Sequence, residues 1–394
     1  MKKKDVVLID GARTPFGKFG GSFKDISAID LGAYSAKEAI ARAGLDPSEI
    51  DEVVMGNVQQ SSTDAHYLAR HVGLKAGLPV HVPSLTVNRL CGSGLEAIVT
   101  AAKNIMLGET EVALAGGTEN MSQIPYFVIG ARWGTKLGTP PKMADYLWDG
   151  LYDPVGGCTM AMTAENAAEK YNVSREECDE FAKLSYDRAI RAMKSGRFAK
   201  EIVPVTVRTR NGEKVVSEDE GPIPTELEVL RKMKPRFKEN GVVTPGNASG
   251  ISDGAAAVIL TSAEYAEKRG LKPLARLVSW SAVGVEPELM SIGPVPAIRE
   301  ALKKAGLQLA DMDLIEINEA FSAQYLACQK ALDFDPEIGN VNGGAVALGH
   351  PLAASGTRIT LTLIYELHER NKKYGVSSAC IGGGQGIAAI WEKL

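Results

Sequence analysis

Two cysteines, one histidine and one asparagine stand in local sequences that could carry acyl chemistry. Cys91 lies in TVNRLCGSGLEAIVTAAKNI, where an extended segment turns through Gly92 and Gly94 into a helix. That puts its thiol at a helix N-terminus, where the macrodipole and free N–H groups favour thiolate and lower its pKa. Such a thiol is a nucleophile, and histidine is the usual base for one. His350, in GGAVALGHPLAASGTR, is surrounded by glycines and small residues that allow close backbone approach. Cys380 follows an apolar run and precedes Gly382, Gly383 and Gly384, whose N–H groups could face a developing oxyanion. Asn318, in INEAFS after the run LIEI, sets a polar amide where a continued strand would be apolar. Each has a plainer alternative: a small buried cysteine, a structural histidine, a packed strand cysteine, a turn-forming asparagine.

The elements that would position these residues are short apolar runs, Val6 to Ile9, Val53 to Met55 and Val112 to Ala115, alternating with amphipathic stretches such as Ile29 to Ala43 and Gly94 to Leu107. That alternation predicts an α/β fold. The chain also resembles itself. AGLDPSEIDEVVMGN at 43–57 aligns without gaps with AGLQLADMDLIEINE at 305–319, each reading as helix, glycine stop, loop and strand. Val87-Asn88 and Val341-Asn342 each precede a Ser-Gly turn and helix, and ALAGGTEN at 113–120 matches ACIGGGQG at 379–386. Two similar halves, with strand ends converging, would gather Cys91, Asn318, His350 and Cys380 around one crevice. The segment 121–246, with WGTKLGTPPK, RTRNGEK and EDEGPIPTE, reads as an inserted loop domain. The first half is then 1–120 plus 247–270, where NASGISDGAAAVIL adds a buried strand or helix, and the second half is 271–394.

At 394 residues the chain is too long for one core, because single cores stop growing near roughly 250–300 residues. Hydrophobic residues at 45% and charged ones at 23% place it among ordinary globular proteins. A net charge of -4 offers no basic field for nucleic acid. No run reaches the ~18 apolar residues of a membrane helix, and Val6 to Ile9 is shorter than the ~7–15 residues of a signal-peptide core. A cytoplasmic protein is expected, and five cysteines, an odd number, suit reduced thiols better than a disulfide framework. His66 and His71 miss the i, i+4 spacing of a helical zinc pair, no Cys-x-x-Cys occurs, and the glycine clusters match no nucleotide-binding motif. No metal or resident cofactor is expected.

Together, NRLCGSG, GGTENMS, NASGISDGAA, NEAF, NVNGGAVALGHP and CIGGGQG resemble the thiolase family, in the family's order and over essentially the whole chain. The resemblance implies duplicated α-β-α-β-α halves and ping-pong acyl transfer between coenzyme A thioesters, with coenzyme A as substrate. It implies that Cys91 takes the acyl group, His350 activates it and Cys380 moves the α-proton of acetyl-CoA. Two oxyanion sites are also implied, one from His350 and a water held by Asn318, the other from the N–H groups of Cys91 and Gly382. Met160, Phe237, Ser249 and Phe321 should line the pantetheine channel, although core packing or a loop cap would also account for them. The resemblance further implies a homo-oligomer, a tetramer rather than a dimer. Three positions depart from the pattern: Thr159 and Pro222, where biosynthetic members often carry His and an adenine-side Arg, and Ala353, where Gly is usual. Cys158, in the insertion, could approach the pocket, whereas Cys178 and Cys328 look like ordinary helical positions. Among thiolases, acetyl-CoA acetyltransferase is the expected activity and a longer-chain 3-ketoacyl-CoA thiolase its near alternative. A decarboxylating ketoacyl synthase would need a second placed histidine, and a non-catalytic acyl-CoA binding protein could dispense with Cys91, His350 or Cys380.

Overall fold

The buried apolar runs pair into one mixed sheet in a computed structural model that describes residues 4–210 and 212–394. Residues 1–3, which begin the N-terminal positive run, and residue 211 of RTRNGEK lie outside the described residues. The first half supplies β1 (Val6–Arg13), β2 (Glu52–Gly56), β3 (Ser84–Val87), β4 (Val112–Asn120) and β5 (Ser252–Ser262). The second supplies β6 (Ala275–Gly284), β7 (Leu314–Ile317), β8 (Tyr374–Ile381) and β9 (Gln385–Lys393). Their order across the sheet is β7-β8-β9-β6-β1-β5-β4-β2-β3. The halves meet where β1 pairs β6 through only Val7↔Arg276 and Leu8↔Ala275.

Among the described residues eight α-helices have eight residues or more: α1 (Ala28–Arg42), α2 (Leu68–Lys75), α3 (Ser93–Leu107), α4 (Met160–Tyr171), α5 (Arg175–Lys194), α6 (Pro294–Ala305), α7 (Ser322–Leu332) and α8 (Leu352–Glu369). α3 and α8 pack on each other and touch strands of both halves. α1 and α2 cover the outer face of the first half, and α6 that of the second. The layers run α-β-α-β-α. A helix in the middle layer must be apolar or small on every side, and α8 is buried along nearly its whole length. Its crossing with α3 is close because a Cβ on Gly94 would lie 2.6 Å from the Ala353 carbonyl oxygen, and one on Gly356 2.6 Å from the Leu95 nitrogen.

The internal repeat is structural. α1 and α6 each end at a left-handed glycine, Gly44 at φ 67° and Gly306 at φ 69°. Each then passes through a 3-10 turn closed by a capping box, Asp46 with Glu49 and Gln308 with Asp311, into β2 or β7. From Ser252 onward the segment NASGISDGAAAVIL resolves as the strand β5, buried throughout.

The stretch 121–246 is more ordered than a loop domain. It holds α4 and α5 and three antiparallel strand pairs, Tyr126–Ile129 with Lys142–Asp145, Tyr152–Asp153 with Cys158–Thr159 and Val205–Thr209 with Gly212–Val216. Proline and glycine cluster around the hairpins, while SREE opens α5 with a capping box of Ser174 and Glu177. Among the described residues no helix is long and apolar enough to cross a membrane.

Candidate active site

Cys91 sits one residue before Gly92, the N-cap of α3, and the preceding Leu90 is held at φ 45°. A non-glycine residue in that region is uncommon and turns the strand sharply into the helix. The thiol is half-buried among Val58, Met121, Leu352 and Ala353. Its environment differs from the lowered pKa expected at a helix start. Burial pushes it up to about 11, with the N–H groups of Gly382 and of Cys91 itself acting in the other direction. Desolvation disfavours the anion by more than these N–H groups favour it.

His350 follows Gly349 and precedes α8, and it is buried. Its Nδ1 lies 2.6 Å from Ser355 Oγ, which donates to the Pro351 carbonyl at 3.0 Å. With the hydroxyl proton committed to that carbonyl, Nδ1 carries the ring proton and Nε2 is left bare. Asn318 Nδ2 stands 3.3 Å from that Nε2, and Asn318 Oδ1 is buried without a protein partner. Burial, and secondarily the Arg358 guanidinium, lower the imidazole to about 3, so the ring is neutral at physiological pH.

Cys380, at the penultimate position of β8, is fully buried beside Met290 and Ala320, with Met160 and Phe321 against it. Burial, then the neighbouring Cys91 and Cys328, raises its thiol well above the ordinary value. Gly382 opens the turn from β8 to β9, where Gly383 and Gly384 take φ 77° and 78°. A Cβ on Gly382 would press on Leu90 at 3.1 Å and Met160 at 3.2 Å.

A cleft of about 190 Å³ opens beside these groups and is lined by Cys91, His350, Met160, Phe237, Ser249 and Phe321, among others. Asn318 bonds to the lining His350, Cys380 packs on the lining Met160 and Phe321, and Gly382 lies close to Met160. Phe237, 37% exposed, stacks on Trp148 with ring centroids 6.5 Å apart. The sequence thus names residues that the fold does gather, including the two phenylalanines and Met160.

Two of the three departures have a local setting that the structure shows. Thr159 caps α4, its Oγ1 accepting from Met162 N–H at 3.3 Å, and it lines the cleft. Pro222 is buried beside Gly221, whose α-carbon lies against Ala347 and Leu348, rather than exposed for an adenine. Cys158 is not among the lining residues, and Cys178 and Cys328 are buried in α5 and α7. Sequence reasoning missed Trp148 and Ser355. The signal for Ser355 was a hydroxyl on the first turn of the helix that follows the histidine. Among the described residues no group of three or more His, Cys, Asp or Glu side chains is arranged to hold a metal ion.

Comparison with known proteins agrees with this architecture. Residues 6–264 match the thiolase N-terminal domain and residues 271–393 the thiolase C-terminal domain. Human mitochondrial 3-ketoacyl-CoA thiolase is 53% identical over 388 residues, covering 98% of each protein. Acetyl-CoA acetyltransferase of Syntrophomonas wolfei is 46% identical over 395 residues, covering 99% of this chain and 100% of that one. The crystal structure of the human mitochondrial enzyme in complex with CoA superposes with a TM-score of 0.97 at 52% identity, covering 99% and 98% of the two chains. With both domains matched along almost its whole length, the chain belongs to the thiolase family, and it is an acyltransferase.

Proposed function

We propose that the chain catalyses the reversible thiolysis of 3-oxoacyl-CoA esters, with Cys91 as the acylated residue. The observation that carries this reading is a thiol and a neutral imidazole lining one apolar cleft, with an amide bonded to the imidazole and a second thiol packed against the lining residues. The resting site is uncharged, since burial holds both thiols protonated and His350 unprotonated. In thiolysis the Cys91 sulfur bonds to the 3-oxo carbon as its proton passes to His350 Nε2. That nitrogen then becomes a donor to the new oxyanion, together with a water on Asn318. The bond between the α- and β-carbons breaks, and its electron pair stays on the acetyl-CoA fragment, which takes the Cys380 proton. Incoming coenzyme A returns a proton to Cys380 and its sulfur displaces Cys91, which recovers its proton from His350. The N–H groups of Cys91 and Gly382 face the thioester oxygen in the second half. Condensation of two acetyl-CoA runs these steps backwards.

Coenzyme A is the substrate that the cleft accommodates in this reading, its pantetheine arm passing Met160, Ser249, Phe321 and the Trp148–Phe237 pair. Two reacting free thiols require a reducing compartment, whether the cytoplasm or an organelle such as the one named for the human relative. Broad 3-ketoacyl-CoA thiolase activity is favoured by the relatives at 52–53% identity. Acetyl-CoA acetyltransferase, the activity expected first from the sequence, is the second reading, favoured by the relative at 46%. Comparing kcat/KM for acetoacetyl-CoA with that for 3-oxohexanoyl-CoA and 3-oxooctanoyl-CoA separates them. The broad reading expects the longer esters to be used at least as well, and a loss of more than ~10-fold per two carbons overturns it. Peptide mapping after acetyl-CoA treatment should find the acyl group on Cys91. A label on Cys158 or Cys380 with Cys91 unmodified sinks the assignment.

A further inference from the structure

Glu119 is an acid within an otherwise apolar or small buried segment, and its side chain is fully buried at the end of β4. Its carboxylate accepts four hydrogen bonds. Oε1 takes Asn57 Nδ2–H at 3.1 Å and Gln59 N–H at 3.0 Å. Oε2 takes Val58 N–H at 3.1 Å and Ala353 N–H at 3.1 Å. Three of these donors belong to the loop after β2 in the first half. The fourth belongs to the first turn of α8, three residues after His350, in the second half. Val58, Leu352 and Ala353 are also the residues that pack around Cys91. The second half reaches back in the same manner: Gln385, which matches Glu119 in the internal repeat, accepts from Arg89 Nη1 at 3.3 Å, two residues before Cys91.

We propose that Glu119 is a positioning residue that ties the His350 turn to the loop of Val58, which packs on Cys91, across the two halves, and that it does so only as the carboxylate. A carboxylate offers acceptors alone, so all four N–H groups are satisfied at once. A carboxylic acid must present an O–H to one of those donors, which opens the tie. Burial, opposed by the three backbone N–H bonds and reinforced by the neighbouring Asp253, raises the group to about 7. The other charged or titratable groups at hand are Asp253, itself tied to Ser122 at 2.9 Å, and the Cys91 thiol, which lies within its electrostatic reach. Protonation as pH falls through about 7 therefore loosens the site.

The proposal rests on the roles given above to Cys91 and His350, and its test is separable from theirs. The pH profile of kcat for acetoacetyl-CoA thiolysis should show an acidic limb near pH 7 in the wild-type enzyme. Glu119→Gln should lower kcat by ~10–100-fold while KM for coenzyme A changes less than ~2-fold, and the acidic limb should vanish. Asn57→Ala, which removes one donor from the carboxylate, should leave a folded enzyme whose limb moves to higher pH. A limb that is unchanged in both variants, or a Glu119→Gln enzyme with wild-type kcat, overturns the assignment. If Glu119→Gln does not fold, the Asn57→Ala profile decides alone. Should acyl mapping place the label away from Cys91, the reading beneath the proposal has failed; a label on Cys91 with an unmoved limb means that only the role of Glu119 has.

Discussion

At the cleft, burial does more to the chemistry than the helix start does. A thiol at about 11 supplies only ~1 part in 10⁴ of thiolate at pH 7, so Cys91 depends on a neighbour to take its proton. His350 is available for that because burial keeps it neutral down to about 3, and the Ser355 bond leaves Nε2 unprotonated. His350→Ala should therefore slow iodoacetamide alkylation of Cys91 by ~10²–10⁴-fold at pH 7, and far less at pH 10, where hydroxide supplies the thiolate. An unchanged pH profile would show that His350 does not activate the cysteine. Cys380 has a separable duty, since acylating Cys91 from acetyl-CoA moves no α-proton. Cys380→Ala should still give acetyl-enzyme by intact-mass spectrometry. It should lose ~10²–10⁴-fold in deuterium exchange into the methyl group of acetyl-CoA, followed by NMR. If exchange persists at the wild-type rate, another group moves the proton. These residues were legible because their types and flanking glycines are local signals. The direction of the Cys91 shift was not, because it depends on Val58, Met121 and Leu352 closing over the thiol from elsewhere in the chain.

The elements hold these groups by close backbone approach rather than by long side chains. A Cβ on Gly117, in β4, would stand 1.9 Å from the Ala353 carbonyl oxygen. That oxygen belongs to the first turn of α8, which follows His350. Gly117→Ala must push the turn away or bend β4, a strain typically costing ~1–3 kcal/mol in a packed interior. The expected result is a lowered Tm together with a kcat reduced more than ~10-fold, since ångström-scale displacement of a base is felt strongly in the rate. A variant that loses stability but keeps kcat would show that the approach matters for packing alone. The repeat made β2, β7 and the helices before them legible, because a left-handed glycine and a capping box are written in a few adjacent residues. α4 was not read from the sequence, and α5 only as a helical setting for Cys178. Their apolar faces, such as Cys178, Phe181, Ala182, Ser185 and Ala189 of α5, lie between stretches whose proline and glycine dominate a local reading. What makes these helices stable is tertiary burial, which α5 finds against α7.

On the scale of the whole molecule, the pairing of two similar halves follows from the internal repeat, but the surfaces left over do not. The hairpin of Tyr126–Ile129 with Lys142–Asp145 exposes Tyr126, Phe127, Val128 and Ile129, and the connecting segment carries Trp133 at 88% exposure and Leu137. So many large apolar groups on one projecting element mark an interaction surface. A second surface is β3, a sheet edge with Leu85 exposed and its outer N–H and C=O groups facing away from the sheet. An unprotected edge of this kind invites pairing with another strand. A closed tetramer with dihedral symmetry needs two distinct surfaces, one building the dimer and the other joining dimers, and we propose that the β3 edge and the hairpin fill these two roles. Sedimentation equilibrium at micromolar protein should accordingly give four times the chain mass of 42.0 kDa. Changing Ile129 and Trp133 together to Asp removes one surface and leaves the other, so that double variant should sediment as a dimer and still thiolyse acetoacetyl-CoA. A wild-type protein that sediments at 42.0 kDa would overturn the assembly, and a double variant that stays tetrameric would show that the hairpin is not the joining surface.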